Sequence, residues 1–225
     1  MIKRFYVNGK ALDFKVNRMV NAGYAGHDQE IVRAHIDELA AIGVAVPKRV
    51  PTFYPVPAQQ ITSEDMIQVG HTKTSAEIEY VYLVKGDKAY ITIGSDHSDR
   101  ALETYSVTAA KQICPNVVAT ELWEYDDVKD HLNELLITCE VYDNGQWREY
   151  QKGFVSDILK PEQLIELGRE VIGENEEGLI LYSGTIPTIG EMIYASKWRI
   201  TMTDKHLGKE ITKEYAVEIL PDCIE

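Results

Sequence analysis

Three carboxylates, Glu77, Glu79 and Asp96, bracket a segment that reads as a β-hairpin. Its arms, Glu77-Ile78-Glu79-Tyr80-Val81-Tyr82-Leu83-Val84 and Ala89-Tyr90-Ile91-Thr92-Ile93-Gly94-Ser95-Asp96, are rich in β-branched and aromatic residues. Gly86-Asp87 between them is a two-residue turn signal. With those two residues at the centre of the turn, Glu77 faces Asp96 and Glu79 faces Gly94. Strand side chains alternate with a period of two, so all three carboxylates point to one side of the ribbon. Like charges gathered this way repel unless a cation neutralises them, and an all-oxygen set suits Mg²⁺, Mn²⁺ or Ca²⁺ rather than Zn²⁺. The ordinary alternative is a solvated acidic face on a half-exposed sheet. Two features weigh against it: Gly94 opposite Glu79 would leave room for a ligand, and His97, Ser98, Asp99 and Arg100 follow directly.

The elements that must carry this hairpin are readable in outline. Asn8-Gly9 is an N-terminal hairpin turn, and residues 28–42 read as a helix with an apolar stripe and Gly43 at its stop. Pro47, Pro51, Pro55 and Pro57 mark an extended connector. After the acidic hairpin, helices are expected over residues 101–113 and 126–136, the first ending before Cys114-Pro115. Asn144-Gly145 is another hairpin turn, residues 161–172 read as a helix with Pro161 in its first turn, and Leu179-Ile180-Leu181-Tyr182 is a short buried strand. Trp198 to Met202 and Glu214 to Leu220 read as antiparallel strands. The balance points to an α+β fold, a mixed and mostly antiparallel sheet structure with a few flanking helices. Residues 1–60 are expected to form a hairpin, helix and Pro-rich lid or connector, and residues 61–225 one compact sheet unit.

A chain of 225 residues, 44% hydrophobic, is long enough for a well-buried core. A net charge of −13 argues against nucleic-acid and anionic-membrane partners, which require concentrated Lys and Arg. Cys114, Cys139 and Cys223 are widely spaced with no C-x-x-C, so neither a disulfide framework nor a zinc knuckle is indicated. No signal-like or membrane-length apolar run occurs, and the expectation is a soluble, cytoplasmic protein.

Taken in order, Glu77-Ile78-Glu79, Gly94-Ser95-Asp96-His97-Ser98, Lys111 shortly before Cys114-Pro115, and Ser183-Gly184-Thr185 after an apolar strand resemble the fumarylacetoacetate hydrolase superfamily. The chain looks most like an uncharacterised branch of it, with the similarity running from about Glu77 to Leu220. The resemblance implies a β-roll of mixed sheets, usually a homodimer, with a divalent metal held by Glu77, Glu79 and Asp96. It implies that Lys111 reaches the substrate, that Arg100 lines the substrate end, and that Gly184 and Thr185 bind a substrate carboxylate. His27 and Glu30, at i and i+3, match the family's His–Glu base on a mobile N-terminal segment, with Asp28 and His35 as alternatives. Two departures stand out. The family's Gly-Thr-Pro-x-Gly is lengthened here to Gly184-Thr185-Ile186-Pro187-Thr188-Ile189-Gly190, and its Arg-Asp appears as Asp99-Arg100.

The implied chemistry is action on a small 2-oxo acid through a metal-stabilised enolate, with hydrolytic C–C cleavage of an acylpyruvate-like substrate favoured. Decarboxylation, isomerisation or hydration of an oxo acid are alternatives, as is a non-catalytic relative that binds a small acid or serves as a scaffold. Several of these residues also have plain structural readings: Lys111 complementing a helix C-terminus, Thr185 as turn chemistry, Arg100 paired to Asp99 or Glu103, and His97 as a packed histidine.

Overall fold

The computed structural model describes residues 1–41 and 46–221. The chain opens with β1 (Ile2–Val7), β2 (Lys10–Lys15), β3 (Arg18–Gly23), α1 (Gln29–Ala41) and β4 (Thr52–Val56). Then come β5 (Ile61–Thr62), β6 (Met66–Val69), β7 (Thr74–Ser75), β8 (Ile78–Lys85), β9 (Lys88–Asp96) and β10 (Ser98–Asp99). Two short helices, α2 (Arg100–Glu103) and α3 (Val107–Ile113), precede β11 (Asn116–Val118), β12 (Glu121–Glu124) and α4 (Tyr125–Val128). The chain closes with β13 (Leu136–Asp143), β14 (Gln146–Phe154), α5 (Pro161–Leu167), α6 (Arg169–Ile172), β15 (Leu179–Tyr182), β16 (Lys197–Asp204) and β17 (Lys209–Ile219).

The three expected hairpins form for backbone reasons. Asn8 and Gly9, and again Asn144 and Gly145, hold the pairs of positive φ angles that a type I′ turn needs. Gly86, at φ +63°, occupies the first central position of the β8–β9 turn, where a type II′ turn uses glycine. The register is the one read from sequence, with Lys85 opposite Lys88 and Glu79 opposite Gly94.

One large curled sheet runs β2-β1-β12-β9-β8-β15-β3-β4, with β11 joining β9 to β5. A second sheet runs β14-β13-β16-β17-β6. Most pairings are antiparallel; β1–β12, β15–β3, β11–β5 and β17–β6 are parallel. The α+β, mostly antiparallel roll expected from sequence is the observed fold. Residues 1–60 supply four strands to the large sheet, β3 pairing with β15 and β1 with β12, so the N-terminal segment is woven into the roll.

Alternation along β8 divides the core in two. Ile78, Tyr80 and Tyr82 face outward to the second sheet, packing with Ile137, Trp198, Ile200 and Tyr215. Val81 and Leu83 face the inside of the curl with Phe5, Phe14, Val118, Ile180 and Tyr182. Burying both faces removes the half-exposed sheet that would have let the carboxylates be a solvated acidic face; Glu79 and Asp96 have no exposed surface.

Three expected helices are shorter than their apolar patterns. The 101–113 stretch breaks because Ser106 turns its hydroxyl to the Ala109 N–H and starts a new helix. The 126–136 stretch gives one α turn and then the 3₁₀ helix Lys129–Glu134. The 161–172 stretch parts at Gly168, where a Cβ would lie only 2.8 Å from the Phe53 ring. Helix α1 matches its expectation, while Gly43 and the His35 side chain lie outside the described residues. Among the described residues no helix is long and apolar enough to cross a membrane.

Candidate functional site

The inner face of the roll ends in polar groups. On β8 the inward row Leu83, Val81 continues to Glu79; on β9 the row Tyr90, Thr92, Gly94 continues to Asp96. The same alternation puts Asn21 two residues beyond Met19 on β3 and Asn116 two residues before Val118 on β11. Glu77 stands just before β8, where its carbonyl accepts the Asp96 N–H at 3.1 Å. One oxygen from each of Glu77, Glu79 and Asp96 lies within 4.8 Å of the others.

Two cations approach this cluster from the helices after β9. Arg100 opens α2 and donates from Nη1 to Glu77 Oε1 at 2.8 Å and to both oxygens of Glu103 at 3.1–3.2 Å; its Nε donates to Ser75 Oγ at 2.7 Å. Lys111, in the last turn of α3, donates from Nζ to Glu77 Oε2 at 3.0 Å and also to Asp96 Oδ2. Burial alone would raise the Glu77 carboxyl, but the charges and hydrogen bonds of Arg100 and Lys111 outweigh it and hold it down to about 2. Burial likewise works against the Lys111 ammonium, and Asp96 and Glu77 overcome it, raising its pKa well above the usual lysine range. For Glu79, burial and then repulsion from Asp96 outweigh the charge of Lys111 and raise it well above the usual carboxylate range.

Glu79 is only half satisfied. Its Oε2 accepts the Gly184 N–H at 2.9 Å, whereas its Oε1 is buried with no hydrogen-bond partner. Asn116 Oδ1 and both polar atoms of the Asn21 side chain are also buried and unpartnered. The Asn116 amide reaches only to 3.5 Å from Asp96 Oδ1, and Asn21 lies near enough to favour ionised Asp96 without completing a hydrogen bond. Buried polar atoms without partners are uncommon in folded proteins, and here they gather beside three carboxylates.

The turn after β15 is locked from the second sheet. Gln151 on β14 accepts the Ile78 N–H at 3.0 Å and donates to Thr185 Oγ1 at 2.9 Å and to the Ile186 carbonyl at 2.6 Å. Thr185 in turn donates its hydroxyl to the Ile78 carbonyl at 2.8 Å. Behind the ligand strands, Tyr215 OH donates to Ser95 Oγ at 3.0 Å, and Ser95 Oγ also accepts the Glu77 N–H at 3.2 Å.

The structure thus brings together Glu77, Glu79, Asp96, Lys111, Arg100 and Gly184. Thr185 is adjacent with its hydroxyl committed to Ile78, and Arg100 is committed to Glu77 and Glu103. The backbone of His27 and Glu30 is held by residues other than Glu77, Glu79 and Asp96. The His27 N–H donates to the Asp157 carbonyl at 2.8 Å, and the residue lines a cavity of about 470 Å³ with Asn133, Ser156 and Lys160. Glu30 is exposed in the first turn of α1, where Asp28 Oδ1 accepts its N–H. Gly94 does not open space as its sequence position suggested: a Cβ there would lie 2.6 Å from Val81, 2.7 Å from the Val117 carbonyl and 2.8 Å from Tyr182. Its role is close packing of β8, β11 and β15 behind the site.

Four residues near the site escaped the sequence reading besides Gln151. Asn21 and Asn116 carry no local signal, because only strand pairing places them. Tyr54 holds its ring 5.7 Å from Lys111 Nζ. Tyr24, at φ +54°, is a non-glycine residue in the left-handed region; burial, then Tyr54, Glu103 and Glu77, push its hydroxyl up to about 12.

A curled mixed sheet backed by a second sheet, with a buried acidic cluster on its inner face, defines a fold of the fumarylacetoacetate hydrolase type. The sequence belongs to the DUF2848 family, proteins of unknown function, whose model matches residues 22–215. No curated protein matches it in sequence. Among solved structures it is similar to a provisionally named fumarylpyruvate hydrolase from Burkholderia cenocepacia, at 19% identity and a TM-score of 0.64, over 97% of this chain and 95% of that one. It is similar to a provisionally named fumarylacetoacetate isomerase/hydrolase from Oleispira antarctica, at 16% identity and a TM-score of 0.65, over 95% and 99%. A 2-keto-3-deoxyarabinonate dehydratase matches at 16% identity and a TM-score of 0.67, over 94% and 78%. At these identities the likeness shows the fold.

Proposed function

We propose that this chain is a divalent-metal-dependent enzyme acting on a small 2-oxo acid, with hydrolytic C–C cleavage of an acylpyruvate-like substrate as the favoured reaction. The observation that carries the proposal is the buried, partnerless Oε1 of Glu79 beside Glu77 and Asp96, with ligand oxygens mutually within 4.8 Å. Carboxylate oxygens are the donors that Mg²⁺, Mn²⁺ and Ca²⁺ prefer, so Glu77, Glu79 and Asp96 fit such an ion. When bound, the ion supplies Lewis acidity toward the keto oxygen of an oxo acid and stabilises enolate charge. Lys111 and Arg100 supply positive charge that attracts and orients the substrate carboxylate. Gly184 positions Glu79 through its N–H, and Gln151 holds the turn that carries Gly184 and Thr185. Gly94, Val81 and Tyr182 close the inner side with apolar packing and exclude water there. In this reading His27, with Glu30, acts as the base. The same resemblance suggests a homodimer.

A second reading, a small-acid-binding relative without turnover, draws on one observation. The substrate-end groups Arg100 and Thr185 are both engaged with protein partners.

Thermal unfolding with Mg²⁺, Mn²⁺ or Ca²⁺, with and without oxalate, tests the proposal on wild type and Glu77→Ala. Oxalate resembles the enolate of pyruvate and should bind through the metal. At a ligand concentration about 100 times its Kd, binding to the native state stabilises by about 2.7 kcal/mol. A metal-dependent oxalate shift in wild type that disappears in Glu77→Ala is the expected result. No shift with any of the three ions would sink the metal reading.

A further inference from the structure

We propose that Lys111 is the resident counter-ion of the carboxylate cluster, and that a divalent cation enters by exchange, the ammonium leaving Asp96 as the metal arrives. The inference rests on the metal-site reading above. Lys111 spends two of its three donors on one oxygen of Glu77 and one of Asp96, two of the three residues that would hold the ion. Its side chain is 7% exposed and that of Asp96 is 0% exposed, so neither charge is offset by water. A doubly charged ion among the same oxygens would stand within a few ångströms of the ammonium, and repulsion between two cations in so buried a place is strong. Nζ already lies 5.7 Å from the Tyr54 ring while it bonds Asp96, and Glu103 adds attraction, so a short shift off Asp96 keeps the ammonium against the ring. Arg100 cannot make the same move, because its fork is already divided among Ser75, Glu77 and Glu103. The exchange makes one lysine serve twice. It neutralises the metal-free cluster, then presents its charge beside the bound ion, where an anionic oxo acid would meet it.

Isothermal titration of Mn²⁺ into the metal-free protein separates this inference from the reading beneath it. Lys111→Met and Lys111→Gln both remove the competing charge; Met keeps the apolar length of the side chain and Gln keeps a hydrogen-bond donor, guarding between them against loss of fold. We expect one-site Mn²⁺ binding at least tenfold tighter than wild type in the folded variants, together with a lower unfolding midpoint of the metal-free proteins. We also expect Tyr54→Leu to bind Mn²⁺ more weakly than wild type, having lost the ring against which the displaced ammonium shifts. Wild-type binding with unchanged or weaker affinity in the Lys111 variants overturns the exchange while leaving the metal site standing. Absence of Mn²⁺ binding in all the proteins overturns both.

Discussion

His97 sets up a pH dependence of stability whose sign and size follow from its surroundings. The residue is fully buried between the sheets, edge-on to Trp198 and Tyr215. Tyr215 gives its proton to Ser95, so the network assigns the Nδ1–H tautomer to His97, donating to Tyr215 Oη at 3.1 Å. Nε2 is then buried with no partner, and a proton there would have no acceptor. Burial first, then the charge of Arg100, push the imidazole down to about 3. The unfolded chain keeps the ordinary value of about 6.5. Below that value the unfolded state binds a proton that the native state refuses, so the stability contribution is complete above about pH 6.5 and is lost as pH falls toward 3. Between about pH 7 and pH 5 the loss is about 2 kcal/mol, since each pH unit is worth roughly 1.4 kcal/mol. Urea unfolding followed by tryptophan fluorescence at the two pH values, on wild type and His97→Leu, measures it. Other titrating groups act on both proteins, so the difference between their pH slopes isolates His97. Parallel loss of stability in the two proteins would refute the reasoning.

Two further outcomes test the packing behind the site. Gly94→Ala forces a methyl against Val81, Tyr182 and the Val117 carbonyl, and overpacking of this kind costs about 1–3 kcal/mol in chemical denaturation. An unchanged midpoint would show that the three strands can part without cost. Gln151→Leu leaves the Ile78 N–H and the Ile186 carbonyl without their partner, a loss of about 3 kcal/mol at the usual penalty for buried unpaired groups. It should also loosen the Gly184 turn and weaken metal-dependent stabilisation, whereas a stable variant with full metal response would remove Gln151 from the positioning network.

How much of this was legible in the chain depends on the range of the interaction. The β8–β9 register followed from Gly86 at the turn and a period of two, both properties of neighbouring residues, and it gathered Glu77, Glu79 and Asp96 correctly. The Asn-Gly turns, the short strand at Leu179–Tyr182 and the mostly antiparallel balance were local in the same way. The helix lengths were overread, because apolar spacing does not register the Ser106 cap or the packing of Phe53 into Gly168.

Tertiary structure decided everything about the site that depends on what surrounds the carboxylates. Period-two alternation says which residues share a face, but not whether that face meets water or the inside of a curl. Closure of the large sheet and the second layer over it buried Glu79 and Asp96. Gly184 reaches Glu79 across 105 residues of chain, and Gln151 reaches Ile78 across 73. Asn21, Asn116 and Tyr54 come from strands whose pairing partners no local pattern names. Local sequence therefore set which oxygens converge, through backbone geometry over a few residues. Their burial, their cations and the unpartnered atoms beside them arose only when distant strands closed the roll around them.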